Sequence, residues 1–401
     1  MYWYCVNRRF FFFFFLFLLP LQISSFDLVV YGCGVLGQRA IHEFILTAPR
    51  SIEPVRIAGI TRTTTNHQNI RDFIGSQTYN NSYILTLKSE EGDSVDSYIR
   101  SSKVLFCAPP SKFTDYPAAV RACIEKYLSP DVSCRNFVFT SSGAVFGEKN
   151  GELISESSQV IGGGEGEVPD RISRLLRAEE HVLNLNKNHE KSPHGVVLRL
   201  AGLYTRERGA HSYWLRPSVT TVNGRGDAFV NLLHYDDAAA ACVAALKGER
   251  RGTFIVSDSN PMTRKAICEA ALNVGGLTGN IPEFLGERNG DDDVGKVYDT
   301  TKFASNYPDW ELRYKNFELG IKPSVRALLE KMKREELIEW CKVNSVNVDN
   351  VGIKKLLIME LLSSPNFDYE ETKKRMADLE QQARDAIMSC NDPITGPSSF
   401  K

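Results

Sequence analysis

The sequence predicts an α/β protein built on an open, doubly wound parallel sheet, and three observations carry that reading. Short apolar runs recur from Phe26 onward without polar alternation, as strands buried on both faces require. Stretches with helical spacing separate them, which parallel strands need for their crossovers. The chain has 401 residues and 42% hydrophobic content, ample for a large core plus an appendage.

The elements follow in order. Residues 26–32 (FDLVVYG) read as the first strand, 37–48 (GQRAIHEFILTA) as a helix and 55–61 (VRIAGIT) as the second strand. Residues 103–110 (KVLFCAPP) and 136–142 (NFVFTSS) repeat the strand type, with a helical pattern at 115–128 (DYPAAVRACIEKYL) between them. A glycine-rich loop at 161–167 interrupts the alternation. Residues 194–204 (HGVVLRLAGLY) supply another strand, and 231–248 (NLLHYDDAAAACVAALKG) a strand end running into an alanine-rich helix. Asp236 or Asp237 is expected to cap that helix. Residues 252–260 form a further strand and turn, followed by a helix starting near Met262. Beyond Lys322-Pro323 no comparably clear strand signal returns, which places a boundary near 322.

Composition excludes several classes. Lys and Arg number 48 against 49 Asp and Glu, so no global charge favours wrapping nucleic acid. Nine cysteines, at 5, 33, 107, 123, 134, 242, 268, 341 and 390, show no Cys-x-x-Cys spacing and are odd in number. Neither a zinc site nor a disulfide framework follows, and no metal is expected. Reduced thiols imply a reducing compartment, plastid or cytoplasm. The leader complicates this. Arg8-Arg9 precede an unbroken Phe/Leu run from Phe10 to Leu19, closed by Pro20, and residues 1–25 read as a targeting or anchoring segment outside the fold. The run is too short for a spanning helix, so secretory targeting and membrane anchoring both stay open.

Chemistry first shows at Gly32-Cys33-Gly34-Val35-Leu36-Gly37, a G-x-G-x-x-G between a strand and a helix. The first glycine permits a tight turn, the second close approach of a pyrophosphate, and the third close helix–strand packing. The helix start, at Val35 and Leu36, offers free N–H groups to the phosphates. This is the dinucleotide-binding fingerprint of a Rossmann fold; its alternative is a tight turn without a ligand. The second strand ends Thr61-Arg62-Thr63 with no carboxylate to bind a ribose 2′-hydroxyl. Arg62 suits a 2′-phosphate, helped by the hydroxyls of Thr61 and Thr63, so NADP is expected ahead of NAD. Cys107, Ala108 and Pro109 follow another strand and should line the same crevice.

Taken together, several segments resemble the NAD-dependent epimerase/dehydratase family, the extended short-chain dehydrogenases. Residues 139–147 (FTSSGAVFG) resemble its strand-5 segment, 196–204 its sixth-strand segment, and 231–241 its His-x-Asp-Asp segment. Residues 253–271 and 298–321 resemble its C-terminal substrate lobe, so the likeness spans about 26–320. It implies a dinucleotide-binding core over 26–321 with a small C-terminal substrate lobe. The family's Tyr-x-x-x-Lys pair is absent: the matching helix reads 168–179 (VPDRISRLLRAE), and no tyrosine occurs between 147 and 203. Arg174 falls near the lysine position and Asp170 near that of the tyrosine, in a register open by one residue. Arg174 can hold a ribose hydroxyl, but a solvated aspartate is a poor proton donor at neutral pH. The chain therefore resembles an atypical branch that lacks the pair.

Ser142 matches the family's substrate-positioning serine, with capping of the strand end as its alternative. In the loop 204–214, Arg206 or Arg208 suits an anion, while Tyr204, His211 and Tyr213 are candidate proton shuttles, each with a structural role as its alternative. The resemblance implies a small carbonyl or sugar-nucleotide-like substrate for a possible oxidoreductase or epimerase. A non-catalytic dinucleotide sensor or scaffold is the alternative class, and homodimerisation stays open.

Residues 322–362 resemble a helix–link–helix module of the SAP type, with Gly352-Ile353-Lys354-Lys355-Leu356 matching its pattern. Leu337, Trp340 and Cys341 mark one face of its first helix. Residues 322–361 hold 8 Lys and Arg against 6 Asp and Glu, too balanced for strong phosphate binding. Packing or partner docking is favoured over nucleic-acid association, which remains the third reading. Residues 363–401 carry an amphipathic pattern at Tyr369–Met388 and a tail.

Overall fold

The computed structural model describes residues 26–49, 54–75, 82–88, 99–130, 135–147, 150–162, 168–187, 193–286, 294–323, 334–343 and Lys374. The leader, residues 163–167 of the 161–167 loop, the second helix of the 322–362 module and the 369–388 pattern apart from Lys374 lie outside them, as do Cys5, Cys134 and Cys390.

Seven parallel strands form the central sheet: β1 (Leu28–Tyr31), β2 (Val55–Thr61), β3 (Ser82–Lys88), β4 (Lys103–Phe106), β5 (Asn136–Ser142), β6 (His194–Leu200) and β7 (Gly252–Val256). Their spatial order is β7-β6-β5-β4-β1-β2-β3. The chain winds outward from β1 to β3, returns to β4 beside β1, and winds out the other way. This is the doubly wound Rossmann arrangement, whose switch point lies between β1 and β4.

The helices between them are α1 (Val35–Leu46), α2 (His67–Gly75), α3 (Tyr116–Tyr127), α4 (Asp170–Asn184) and α5 (Tyr235–Lys247). α1 packs with α5, and α3 with α4, giving a layer on each face of the sheet. Residues 28–30, 104–106 and 137–139 are wholly buried, which explains why these strands read as unbroken apolar runs. α3 starts where Asp115 accepts the Ala118 N–H at 2.9 Å with Pro117 in its first turn.

Two local readings need correction. Neither Asp236 nor Asp237 caps α5. His234 does: its Nδ1 accepts the Asp236 N–H at 3.2 Å. Asp237 faces inward, accepting the N–H groups of Arg313 (2.8 Å) and Tyr314 (3.1 Å). The helix expected near Met262 begins at Arg264, because Met262-Thr263 first pair with Phe229-Val230.

The chain divides into two compact units. One comprises Met1–Thr205, Thr221–Ala266 and Glu283–Phe317, and carries the sheet. The other comprises Arg206–Thr220, Ile267–Pro282 and Glu318–Lys401. Within it Leu337, Trp340 and Cys341 are buried along one face of the helix Arg334–Val343, as their spacing suggests. Among the described residues no helix is long and apolar enough to cross a membrane, and no cluster of three His, Cys, Asp or Glu is placed to hold a metal.

Candidate functional site

The glycine turn sits where β1 hands over to α1. Gly32 has φ +100°, and a Cβ there would enter the Ala108 backbone, only 2.6 Å from its Cα. A Cβ on Gly37 would stand 2.6 Å from the Gly32 carbonyl and 3.1 Å from Val30 Cγ1. Gly34 is the opposite case: a Cβ there meets nothing within 4 Å. Two glycines are therefore required by the protein's own packing, and the middle one faces open space. Among the described residues no side chain caps α1, so the N–H groups at its start stay available to an anion, and the helix dipole favours negative charge there. The turn itself is held from behind. Gly32 donates to the Ile60 carbonyl at 2.9 Å, and the Cys107 thiol donates to the Gly32 carbonyl at 3.1 Å.

That contact gives Cys107 a definite role under the turn. Burial pushes its thiol well above the usual range, so it behaves as a packed, protonated group. Cys33 is likewise buried, lifted to about 12, and fills the space beside Gly59. Ala108 closes the switch point by direct approach to Gly32, and Pro109 follows in extended backbone at φ −75°.

At the end of β2, Arg62 and Thr63 are exposed. Thr61 is not free to help them. Its Oγ1 lies 2.5 Å from His67 Nε2 and donates to the Thr63 carbonyl at 2.8 Å, which shapes the turn that carries Arg62. Arg174 donates to the Phe113 carbonyl, in the loop after β4, and lies 3.8 Å from Asp170. The Asp170 side chain is 85% exposed, which bears out its reading as a solvated carboxylate.

The proton-shuttle candidates divide. Tyr204 is wholly buried: its hydroxyl donates to the Asn316 carbonyl at 3.2 Å, and its ring packs on His234 and Phe317. Burial, then the nearby Asp258 and Asp237, push its pKa far above the ordinary range. Tyr204 is corrected to a core residue. His211 is 1% exposed, with Nε2 3.0 Å from the Arg206 carbonyl, and burial lowers its pKa; it too is corrected to a structural role. Arg206 secures its own loop, donating to the Gly275 carbonyl at 2.9 Å. Tyr213 is 52% exposed, with the Arg216 guanidinium over its ring.

Ser142, at the end of β5, accepts the Ala144 N–H at 3.2 Å, the capping role weighed as its alternative. Its neighbour belongs to a buried group that sequence reasoning missed. Ser141 donates to Glu179 Oε1 at 2.5 Å, and Arg199 forks onto both Glu179 oxygens at 3.2 and 2.7 Å. This ties α4 to the ends of β5 and β6. Also missed was the strand Gly295–Tyr298, which brings Lys296 and Tyr298 to the Ser142 turn from some 150 residues away in sequence. The polar–apolar alternation of Lys296-Val297-Tyr298 was the available signal.

No protein-family model matches the chain, and no curated protein matches it. Solved structures do. The chain is similar to the UDP-Glc/GlcNAc 4-epimerase of Campylobacter jejuni at 16% identity and TM-score 0.56, over 74% of this chain and 97% of that one. A dTDP-glucose 4,6-dehydratase from Bacillus anthracis, solved in complex with NAD, matches at 17% identity and TM-score 0.55, over 76% and 97%. A functionally unknown conserved protein from Silicibacter pomeroyi matches at 18% and TM-score 0.54, over 74% and 96%. At these identities the likeness is one of fold: the α/β Rossmann-like architecture is shared.

Proposed function

We propose that the chain binds NADP(H) at the glycine turn and acts as an atypical oxidoreductase or epimerase on a small carbonyl or sugar-nucleotide-like substrate. The observation that carries this is the contrast among the three glycines: Gly32 and Gly37 are required by packing, whereas Gly34 opens beside an uncapped helix start. A plain structural turn gives no reason for that opening. The residues fit a dinucleotide: the N–H groups of Val35 and Leu36 would take the diphosphate, and Ala108 and Pro109 would wall the crevice. Several of the similar structures, the Bacillus anthracis dehydratase among them, are described as complexes with NAD, which supports a nicotinamide dinucleotide as the class of cofactor. Such a group, when bound, supplies or accepts a hydride.

The preference for NADP rests on Arg62, exposed at the end of β2 where a carboxylate would otherwise favour NAD. Calorimetry on the full chain tests it. Arg62→Ala should weaken NADPH roughly 10- to 100-fold, the worth of a charge-assisted pair, and change NADH about 2-fold or less. Equal losses for both would remove the 2′-phosphate role. Failure of the wild-type chain to bind either dinucleotide would remove the whole reading.

A second reading, a dinucleotide sensor or scaffold without turnover, is favoured by one specific observation. With Tyr204 buried and Asp170 solvated, neither supplies the acid that the missing helix tyrosine would provide. Tight NADPH binding with no NADPH consumption across aldehydes, ketones and nucleotide sugars would select it.

A further inference from the structure

A tyrosine hydroxyl does reach the Ser142 turn, but from another part of the chain. The strand Gly295–Tyr298 runs parallel to Asn150–Ile154, and Asn231 pins it. The Asn231 amide donates to the Lys296 carbonyl at 2.6 Å, and its Oδ1 accepts the Tyr298 N–H at 3.0 Å. Strand alternation puts Lys296 and Tyr298 on one face. From there the Lys296 ammonium donates to the Phe146 carbonyl, and the Tyr298 ring lies 6.2 Å from that of Phe146. The Tyr298 hydroxyl comes to rest against Gly143, where an added Cβ would collide with it.

Two features single this hydroxyl out. The Tyr298 residue is only 7% exposed, its hydroxyl makes no hydrogen bond among the described residues, and that oxygen is not sealed from solvent. The packed ring thus presents a phenol that can bond a ligand's oxygen in place of water. Burial also raises its pKa, which keeps the phenol neutral and able to donate. Beside it, the Ser142 oxygen accepts one bond from Ala144, and the hydroxyl still has its own proton to give. One donor is thus carried by Ser142 and the other rests against the next residue, Gly143, at the carboxyl end of β5. That strand lies two places from β1 in the sheet, about 10 Å away at ordinary strand spacing.

We propose that Tyr298, together with Ser142, anchors the carbonyl or alcohol oxygen of a sugar-like substrate and so takes the hydrogen-bonding place of the tyrosine that α4 lacks. Lys296 is a positioning residue, clamping the Phe146 carbonyl so that the turn after β5 stays against the Tyr298 ring. The proposal rests on the dinucleotide-binding reading above, because the substrate oxygen must sit beside the cofactor crevice. Gly143 is part of the arrangement, since any side chain there would displace the phenol.

The test uses the full chain loaded with NADP⁺ and titrated with UDP-glucose by calorimetry, with NADPH affinity and thermal midpoint measured alongside. Wild type should bind UDP-glucose. Tyr298→Phe, which keeps the ring, and Ser142→Ala should each weaken that binding roughly 5- to 10-fold, a net hydrogen bond's worth, while NADPH affinity stays within about 2-fold. Should Tyr298→Phe prove unstable, Gly143→Ala offers the same test by pushing the phenol aside. Unchanged UDP-glucose affinity in the folded variants would overturn the role of Tyr298. A wild-type chain that binds NADPH but not UDP-glucose would overturn the ligand class and leave the cofactor reading standing. Loss of NADPH binding in wild type would instead identify the cofactor reading as the failure.

Discussion

At the scale of single residues, the glycine turn separates what the fold needs from what a ligand needs. Gly34 has φ −79°, which any residue adopts, and open space where its Cβ would go. Gly34→Ala should therefore leave the thermal midpoint within about 2 °C of wild type, while the new methyl obstructs the approach of a diphosphate and lowers NADPH affinity by an order of magnitude or more. Unchanged NADPH affinity in a folded Gly34→Ala protein would show that the turn does not approach phosphate. Gly32→Ala cannot serve in its place, because its positive φ and the Ala108 backbone make the substitution a folding defect first. The G-x-G-x-x-G spacing was enough to locate the tight turn at Gly32 and the close packing at Gly37, since both are written in neighbouring residues. Tyr204 and His211 could not be placed the same way. A tyrosine or histidine in a loop sequence looks identical whether its polar atom meets a substrate or a carbonyl of its own chain. For Tyr204 the matter was decided by burial against residues as distant as Asn316 and Phe317, and for His211 by burial with its ring on the Arg206 carbonyl.

Among the elements, α4 is the informative one. Its face toward the sheet carries Ile172, Leu175, Ala178 and Val182, with Glu179 among them, and all are buried. A charge in that position must be paired, and Arg199 and Ser141 pair it. Truncating one partner leaves the other charge stranded in the core, so Glu179→Ala should destabilise the protein by about 3–5 kcal/mol, read as a lower urea midpoint. A loss under about 1 kcal/mol would mean that the group is solvated in practice. The strands from β1 to β7 were legible apart from β3, because burial on both faces writes itself as apolar runs. β3 is an edge strand, and its apolar stretch is short, with Tyr83-Ile84-Leu85 cut by Thr86 and bounded by Ser82 and Lys88. The pairing of Glu179 with Arg199 was hidden by the same logic that hid Tyr298: both are contacts between elements, which no local pattern encodes.

For the whole molecule, a large electrostatic consequence at working pH comes from Asp258 and Asp237, which the fold buries near one another. Asp258 is 2% exposed; one of its oxygens has no hydrogen-bond partner among the described residues, and burial raises its pKa to about 7. Asp237, wholly buried, is raised to about 6, again mainly by burial and against the two N–H groups it accepts. Both shifts run upward from the ordinary carboxylate value of 3.8. Below that value the group is protonated in folded and unfolded chains alike, and contributes nothing. Between pH 4 and about 7 the unfolded chain loses the proton while the folded chain keeps it, so folding becomes steadily less favourable as pH rises. Above pH 7 the penalty from Asp258 is complete, on the order of 4 kcal/mol at the conversion of 1.36 kcal/mol per pH unit. Asp258→Asn removes the ionisation but keeps an acceptor for the Asn260 N–H that Asp258 binds at 3.0 Å. The variant should therefore exceed wild type in urea midpoint at pH 8 and lose that advantage at pH 4. Every other carboxylate is common to both proteins, so the difference between their two pH profiles reports Asp258 together with its coupling to Asp237. Parallel profiles would show that Asp258 is ionised throughout and that the fold solvates it after all.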